Sequence, residues 1–313
     1  MSIRVYSWFT KCMKPQDLRG KLSAGVVSFP VTTFKPDLSL DLESYRKNLR
    51  HILKYPVCAV VAAAGTGELY SLSPEEHLAV VKATVEEVNG KVPVIAGTGF
   101  NHPIAVQLAK HSAAAGADGI LALPPYYPHA DEDGLHDYYK AIADATPLGL
   151  LIYSRDWVNP GPAFVERLAK FPTLIAWKDG QADLRRYQMI QHRLGDRLLW
   201  IGGAGDDMVP GYYSIGIRTY TSSICTISPG LSVQLHEKAS AGDAASLARL
   251  MKEYVTPLYA FRAKRKGYEV SAMKSCMDII GLNGGPVRPP LPNVRSEEIA
   301  ELRAMMEKWK PVL

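Results

Sequence analysis

A single lysine closes the apolar run in TLIAWKDGQAD, residues 173–183. The stretch 173–177 reads as a short buried strand, Lys178 ends it, and Asp179-Gly180 turns the chain away. Such a lysine is either a strand-end charge reaching for water or an amine at work in a pocket. A neutral amine can attack a ketone and form a Schiff base. Apolar walls such as Ile175 and Trp177 would help to keep it neutral. Three other groups suit that chemistry. Tyr153 carries a phenol able to move the protons that carbinolamine formation and dehydration require. Gly65-Thr66, in AAAGTGELY, offers backbone N–H groups and a hydroxyl for the carboxylate of a 2-oxo acid. Arg155 supplies a guanidinium two residues beyond Tyr153. Taken singly, each has a plainer reading: a strand-end charge, a core phenol, a glycine turn, a surface ion pair with Asp156. Together they form one chemical kit, provided the fold brings them together.

The pattern of elements does so. Strand-like apolar runs at 24–30, 57–64, 92–98, 118–124, 149–154, 173–178, 198–202 and 218–223 alternate with helix-length segments. The runs are nearly continuous rather than alternating, as in strands covered on both faces. The clearest helix begins at SPEEHLAVVKATVEEV, with Ser73 as N-cap, Pro74 at N1, Glu76 completing a capping box, and Leu78, Val81, Val85 and Val88 along one face. Eight such units predict a (β/α)8 TIM barrel, with a doubly wound open sheet as the competing arrangement. After the eighth strand, helical patterns at 231–241, 244–262, 271–281 and 297–309 give the eighth barrel helix and a C-terminal extension of about three more. The expected organisation is a lead-in over 1–22, the barrel over 23–241 and a packed helical extension over 242–313. Active sites of such barrels lie at the C-terminal ends of the strands. Gly65-Thr66 follows strand 2, Tyr153 lies near the end of strand 5 with Arg155 just after it, Lys178 ends strand 6, and Ser222 and Ser223 end strand 8, so all should meet at one mouth.

Composition narrows the classes. The chain has 313 residues, 47% hydrophobic and 21% charged, with a formal charge of +5. The mild positive excess suits a small anion. Its basic residues are dispersed apart from Lys264-Arg265-Lys266, which argues against nucleic acid. Cys12, Cys58, Cys225 and Cys276 are far apart and lack metal-ligand spacing, which points to reduced thiols in a cytoplasmic setting and no metal site. No apolar run reaches the ~18 residues of a membrane span, and MSIRVYSWFTKCMK lacks a secretory signal's apolar core, leaving Met13 as an alternative start. GGAGDD after strand 7 resembles a phosphate loop, but it lacks a Lys, Ser or Thr partner and reads rather as a structural turn or a contact for a substrate carboxylate. Gly97-Thr98-Gly99 is not a dinucleotide fingerprint. Tyr126-Tyr127 either packs its own loop or projects toward a neighbouring subunit. His102, His111 and His129 read as surface or helix-end residues.

The motifs LSAGVVSFPVTTF, AAAGTGELYSLSPEE, GADGILALPPYY, IYSRDWV, AWKDGQADL and RAKRKGYEVSAMK with NGGPVRPPL stand in the order seen in the dihydrodipicolinate synthase/N-acetylneuraminate lyase family. Within that family the sequence most resembles the 5-dehydro-4-deoxyglucarate dehydratases. The resemblance implies Lys178 as the Schiff-base lysine, Tyr153 as the acid/base, and Gly65-Thr66 as the carboxylate-binding turn. Arg155 and Ser222 are then the groups expected to orient a second, distal carboxylate. It also implies a homo-oligomer, tetramer or dimer, with no organic cofactor and no metal. The implied reaction is dehydration and decarboxylation of a sugar-derived 2-oxo diacid, 5-dehydro-4-deoxyglucarate to 2,5-dioxopentanoate. The alternatives are an aldolase releasing pyruvate from a 2-oxo-3-deoxy acid, and a non-catalytic ligand-binding barrel.

Overall fold

The apolar runs become eight short strands: β1 (Gly25–Ser28), β2 (Ala59–Ala62), β3 (Val94–Thr98), β4 (Gly119–Ala122), β5 (Gly149–Ser154), β6 (Leu174–Asp179), β7 (Leu199–Gly202) and β8 (Thr219–Ser222). They pair in parallel in sequence order, and β8 returns to β1, closing a (β/α)8 TIM barrel. The computed structural model describes residues 13–127 and 129–313; Cys12 and the first part of the expected lead-in lie outside them.

Two apolar cores flank the strand wall. Val27, Val61, Ile95, Leu121, Leu151, Ile175 and Ile201 fill the barrel. Val26, Val60, Ile120, Ile152, Trp177 and Tyr220 pack outward against the helices. Side chains on both strand faces are therefore apolar, which is why the runs show no period of two. The helix Pro15–Lys21 sends Leu18 into the inner core and plugs the barrel floor. Gly119 and Gly149 begin their strands there because a Cβ on either would lie 2.5 or 3.1 Å from Leu18 Cδ2.

Strand β6 has one irregularity, and it matters for the site. The β5–β6 register shifts between Leu150 and Leu151, so that Leu150 faces Leu174 and Leu151 faces Ala176. Leu174 and Trp177 both pack outward, whereas Ile175 and Ala176 both pack inward. Strict alternation from Leu174 would have turned Trp177 into the barrel and Lys178 out. The extra residue reverses this and aims Lys178 inward, the kind of re-aiming that a bulge achieves. Trp177 is thus not a wall of the lysine's pocket, as the sequence had suggested.

The capping box at Ser73 and Glu76 is formed as expected. The buried face of the helix Pro74–Val88 is His77, Val80, Val81, Thr84 and Val88, with Leu78 and Val85 only half-buried. The helix is turned this way because His77, buried under β3, bonds the Gly97 carbonyl at 2.8 Å. After β8 the eighth barrel helix is Pro229–Ser240. The next helix starts at Ala244–Leu250, widens into a π turn over Met251–Val255 and continues as Thr256–Arg262. Helices Tyr268–Ile279 and Ile299–Trp309 follow.

Candidate active site

Lys178 lies at the barrel mouth and is 3% exposed. Its Nζ donates to the Gly203 carbonyl at 3.0 Å and stands 3.0 Å from the centre of the Tyr153 ring and 5.3 Å from that of Phe29. Burial, reinforced by the Arg155 charge and opposed by Asp179, holds this amine well below the ordinary lysine range. Asp179 offsets little because its carboxylate is committed elsewhere. It accepts from Tyr212 Oη at 2.7 Å and from the backbone amides of Gln181 and Ala182, both at 3.1 Å.

Tyr153 is the register partner of Lys178 across β5 and β6. Its Oη donates to the same Gly203 carbonyl, at 3.1 Å. One oxygen thus holds amine and phenol together. Burial raises the phenol's pKa, with Arg155 opposing, so Tyr153 stays protonated and can donate. Two glycines make room for the pair. A Cβ on Gly203 would lie 2.4 Å from Lys178 Cγ, and one on Gly180 would lie 2.4 Å from Tyr153 Cε2.

Across the mouth, the turn after β2 presents Gly65 and Thr66. Their amides make no hydrogen bond among the described residues. The turn is held from behind. Thr32 Oγ1 donates to the Gly67 carbonyl at 2.6 Å, and the Glu68 amide donates to the Gly65 carbonyl at 3.1 Å. Glu68, in the left-handed region at φ +56°, drops its carboxylate inward. There it meets Lys274 Nζ at 2.5 Å and accepts from the Arg288 amide at 3.0 Å. Both Glu68 and Lys274 are buried. Neither Lys274 nor Arg288 was singled out from the sequence, although a lysine on the apolar face of Tyr268–Ile279 is a usable signal, since a buried lysine needs a partner.

Arg155 reaches the same side. Its Nε and Nη2 donate to Asp156 at 2.8 and 3.5 Å, and its Nη1 lies 3.3 Å from where a Cβ on Gly65 would stand. The guanidinium therefore sits beside the Gly65-Thr66 turn.

Ser222 is placed differently from expectation. Its side chain is fully buried, donates to Asp206, lies 2.8 Å from Ser232 Oγ and accepts from the Cys225 amide at 3.0 Å. Those bonds use its hydroxyl, so it supports the wall rather than offering a donor to substrate. Asp206, the first acid of GGAGDD, is the hub of that wall. Besides Ser222 it accepts from the amides of Ser223 and Ile224 at 3.2 and 3.3 Å and from Tyr259 Oη at 3.1 Å. A buried carboxylate at the centre of this loop makes it unsuited to phosphate.

These groups line a cavity of about 860 Å³, ample for a six-carbon acid, that also includes Tyr70, Tyr126, Tyr259 and Arg262. Among the described residues, no cluster of three His, Cys, Asp or Glu side chains could hold a metal ion, and no helix is long and apolar enough to cross a membrane.

Comparison with known proteins agrees with this architecture. The model of the dihydrodipicolinate synthetase family matches residues 22–309. A probable 5-dehydro-4-deoxyglucarate dehydratase of Bradyrhizobium diazoefficiens is 40% identical over 299 residues, 95% of each chain. One of Rhizobium meliloti is 37% identical over 298 residues, 94% of this chain and 99% of the other. The solved dihydrodipicolinate synthase from Bacillus clausii superposes with a TM-score of 0.88 at 26% identity, covering 94% of this chain and 99% of its own. The chloride-inhibited, pyruvate-complexed enzyme from Acinetobacter baumannii gives 0.85 at 26%, covering 93% and 100%. With its closed barrel and a match over nearly its whole length, this chain belongs to the dihydrodipicolinate synthetase family.

Proposed function

We propose that the protein is a Schiff-base dehydratase-decarboxylase that converts 5-dehydro-4-deoxyglucarate to 2,5-dioxopentanoate, water and carbon dioxide. One observation carries the chemistry: Lys178 and Tyr153 share the Gly203 carbonyl, facing a turn with unused amides. The names of the relatives at 37–40% identity support the substrate.

Lys178, held neutral by burial, attacks the 2-oxo carbon while Gly65 and Thr66 take the adjacent carboxylate. Tyr153 protonates the departing carbinolamine hydroxyl, and water leaves as the imine forms. Loss of a proton from the neighbouring methylene gives an enamine, which expels the β-hydroxyl as a second water and restores the iminium, now conjugated to a carbon–carbon double bond. The far carboxylate departs as carbon dioxide, its electron pair running through that conjugated system to the iminium nitrogen. Reprotonation and hydrolysis of the imine, which consumes one water, free the amine and release the 2-oxo acid with its terminal aldehyde. The net change is one water and one carbon dioxide lost.

A cytoplasmic homo-oligomer is part of the same proposal. Free thiols at Cys58, Cys225 and Cys276 suit a reducing compartment, and Tyr126 and Tyr127, 82% and 72% exposed beside the mouth, suit a subunit contact. Incubation with the diacid followed by borohydride should give a reduced adduct on Lys178 by peptide mass mapping, and turnover should release carbon dioxide. Pyruvate release would make the enzyme an aldolase, and an adduct on another lysine would end the Lys178 mechanism.

A further inference from the structure

A diacid brings two carboxylates, and the mouth holds two guanidiniums. Arg155 is already engaged by Asp156 and stands against Gly65, in the turn to which the proposed function assigns the carboxylate of the 2-oxo acid. Arg262 enters from the C-terminal extension, at the end of the helix Thr256–Arg262 and beside the end of β8. Its guanidinium carbon lies 4.3 Å from the centre of the Tyr259 ring, and its Nη1 donates to Ser223 Oγ at 3.2 Å. Its Nε is buried and has no hydrogen-bond partner among the described residues. Among the described residues no carboxylate lies within ion-pairing distance of it, although the charges of Asp206 and Asp207 are near enough to favour its protonated form. Asp206 is spent on Ser222, Ser223, Ile224 and Tyr259, and the exposed Glu269 takes the Gly267 amide at 2.9 Å. A buried guanidinium N–H without an acceptor is costly unless a ligand completes it.

We propose that Arg262, with the Ser223 hydroxyl beside it, seats the distal carboxylate of the substrate and sets the enzyme's preference for diacids, an assignment that rests on the Schiff-base reading of Lys178. The guanidinium fork suits a carboxylate, and Tyr259 and Ser223 fix its plane. Arg155 then serves the 2-oxo end, common to diacids and monoacids.

The test compares two probes that differ only in the far carboxylate, 2-oxohexanedioate and 2-oxohexanoate, by the concentration at which borohydride trapping on Lys178 is half-maximal. The wild-type protein should favour the diacid by ~10-fold or more, the worth of one charge-assisted hydrogen bond. Arg262→Gln should abolish that preference while still trapping 2-oxohexanoate as the wild type does, which also shows the variant to be folded. Arg262→Lys should restore part of it. Arg155→Gln should weaken trapping of both probes alike. A preference that survives in Arg262→Gln and disappears in Arg155→Gln would overturn the assignment, as would equal loss of both probes in Arg262→Gln. No adduct with either probe in the wild type would instead overturn the Schiff-base reading itself.

Discussion

At the residue scale, the chemistry turns on how two ionisable groups are kept uncharged. In the proposed reaction Lys178 must be an amine to attack and Tyr153 must be a phenol to donate, and burial pushes each toward its neutral form. The Gly203 carbonyl suits both, since it accepts from either neutral donor. Tyr153→Phe should therefore leave binding of a 2-oxo acid nearly intact and slow turnover by ~10²–10⁴, the usual contribution of a positioned acid/base. Single-turnover rates alongside the half-saturation of borohydride trapping would separate the two effects, and a wild-type rate would return Tyr153 to a purely packing role. That Lys178, Tyr153, Gly65 and Thr66 share one cavity was legible because each lies at, near or just past the end of an apolar run. The bonds of Ser222 were not legible, because its type and position at the end of β8 say nothing of Asp206, which approaches from another loop and takes its hydroxyl.

At the scale of elements, the eight strands were visible as eight apolar runs, and every observed strand except β6 falls inside its run. The irregularity in β6 was not visible, because Leu174, Ile175, Ala176 and Trp177 are all apolar and either phase would have looked the same. The links between the C-terminal helices and the mouth were equally hidden. Periodicity locates a helix but not what its polar residues reach. The pair Glu68–Lys274 is the plainest instance: it ties Tyr268–Ile279 to the turn that presents Gly65 and Thr66. Lys274→Met should leave the Glu68 carboxylate buried without its cation, lowering stability by ~3–5 kcal/mol. It should also raise the half-saturating concentration for any 2-oxo acid as the turn loosens. Adding Glu68→Gln should recover most of the lost stability in denaturant melts. If the single variant melts as the wild type does, the pair does not hold the turn.

At the scale of the whole molecule, the barrel carries a cost at its mouth. The folded Lys178 titrates below the ordinary 10.5, so between its folded pKa and 10.5 the unfolded chain binds a proton that the folded chain does not. Stability contributed at this site must therefore rise with pH across that window, and the penalty is greatest below it. Lys178→Met, inactive by construction, should melt at least ~2 °C above the wild type at pH 7, roughly what ~1 kcal/mol yields in a protein of this size. The gap should narrow as pH approaches 10.5; a gap that is constant or widens would show that the lysine is not buried as a neutral amine. The extension that follows the barrel begins with a helix that has slack in it. From Ala244 to Arg262 the fully packed residues are Leu247, Leu250, Val255, Leu258 and Phe261, and the long step from 250 to 255 coincides with the π turn at Met251–Val255. Pro257, which lacks an N–H for the Glu253 carbonyl, gives the reason for the widening. Such a turn absorbs one residue locally, leaving the helix on either side in register. In hereditary terms, this is a place where a gene could lose a codon and keep its enzyme, provided the proline codon at 257 also gave way to one for a residue with an N–H: the turn would then tighten to an ordinary α-helix, with Tyr259 and Arg262 in their present phase.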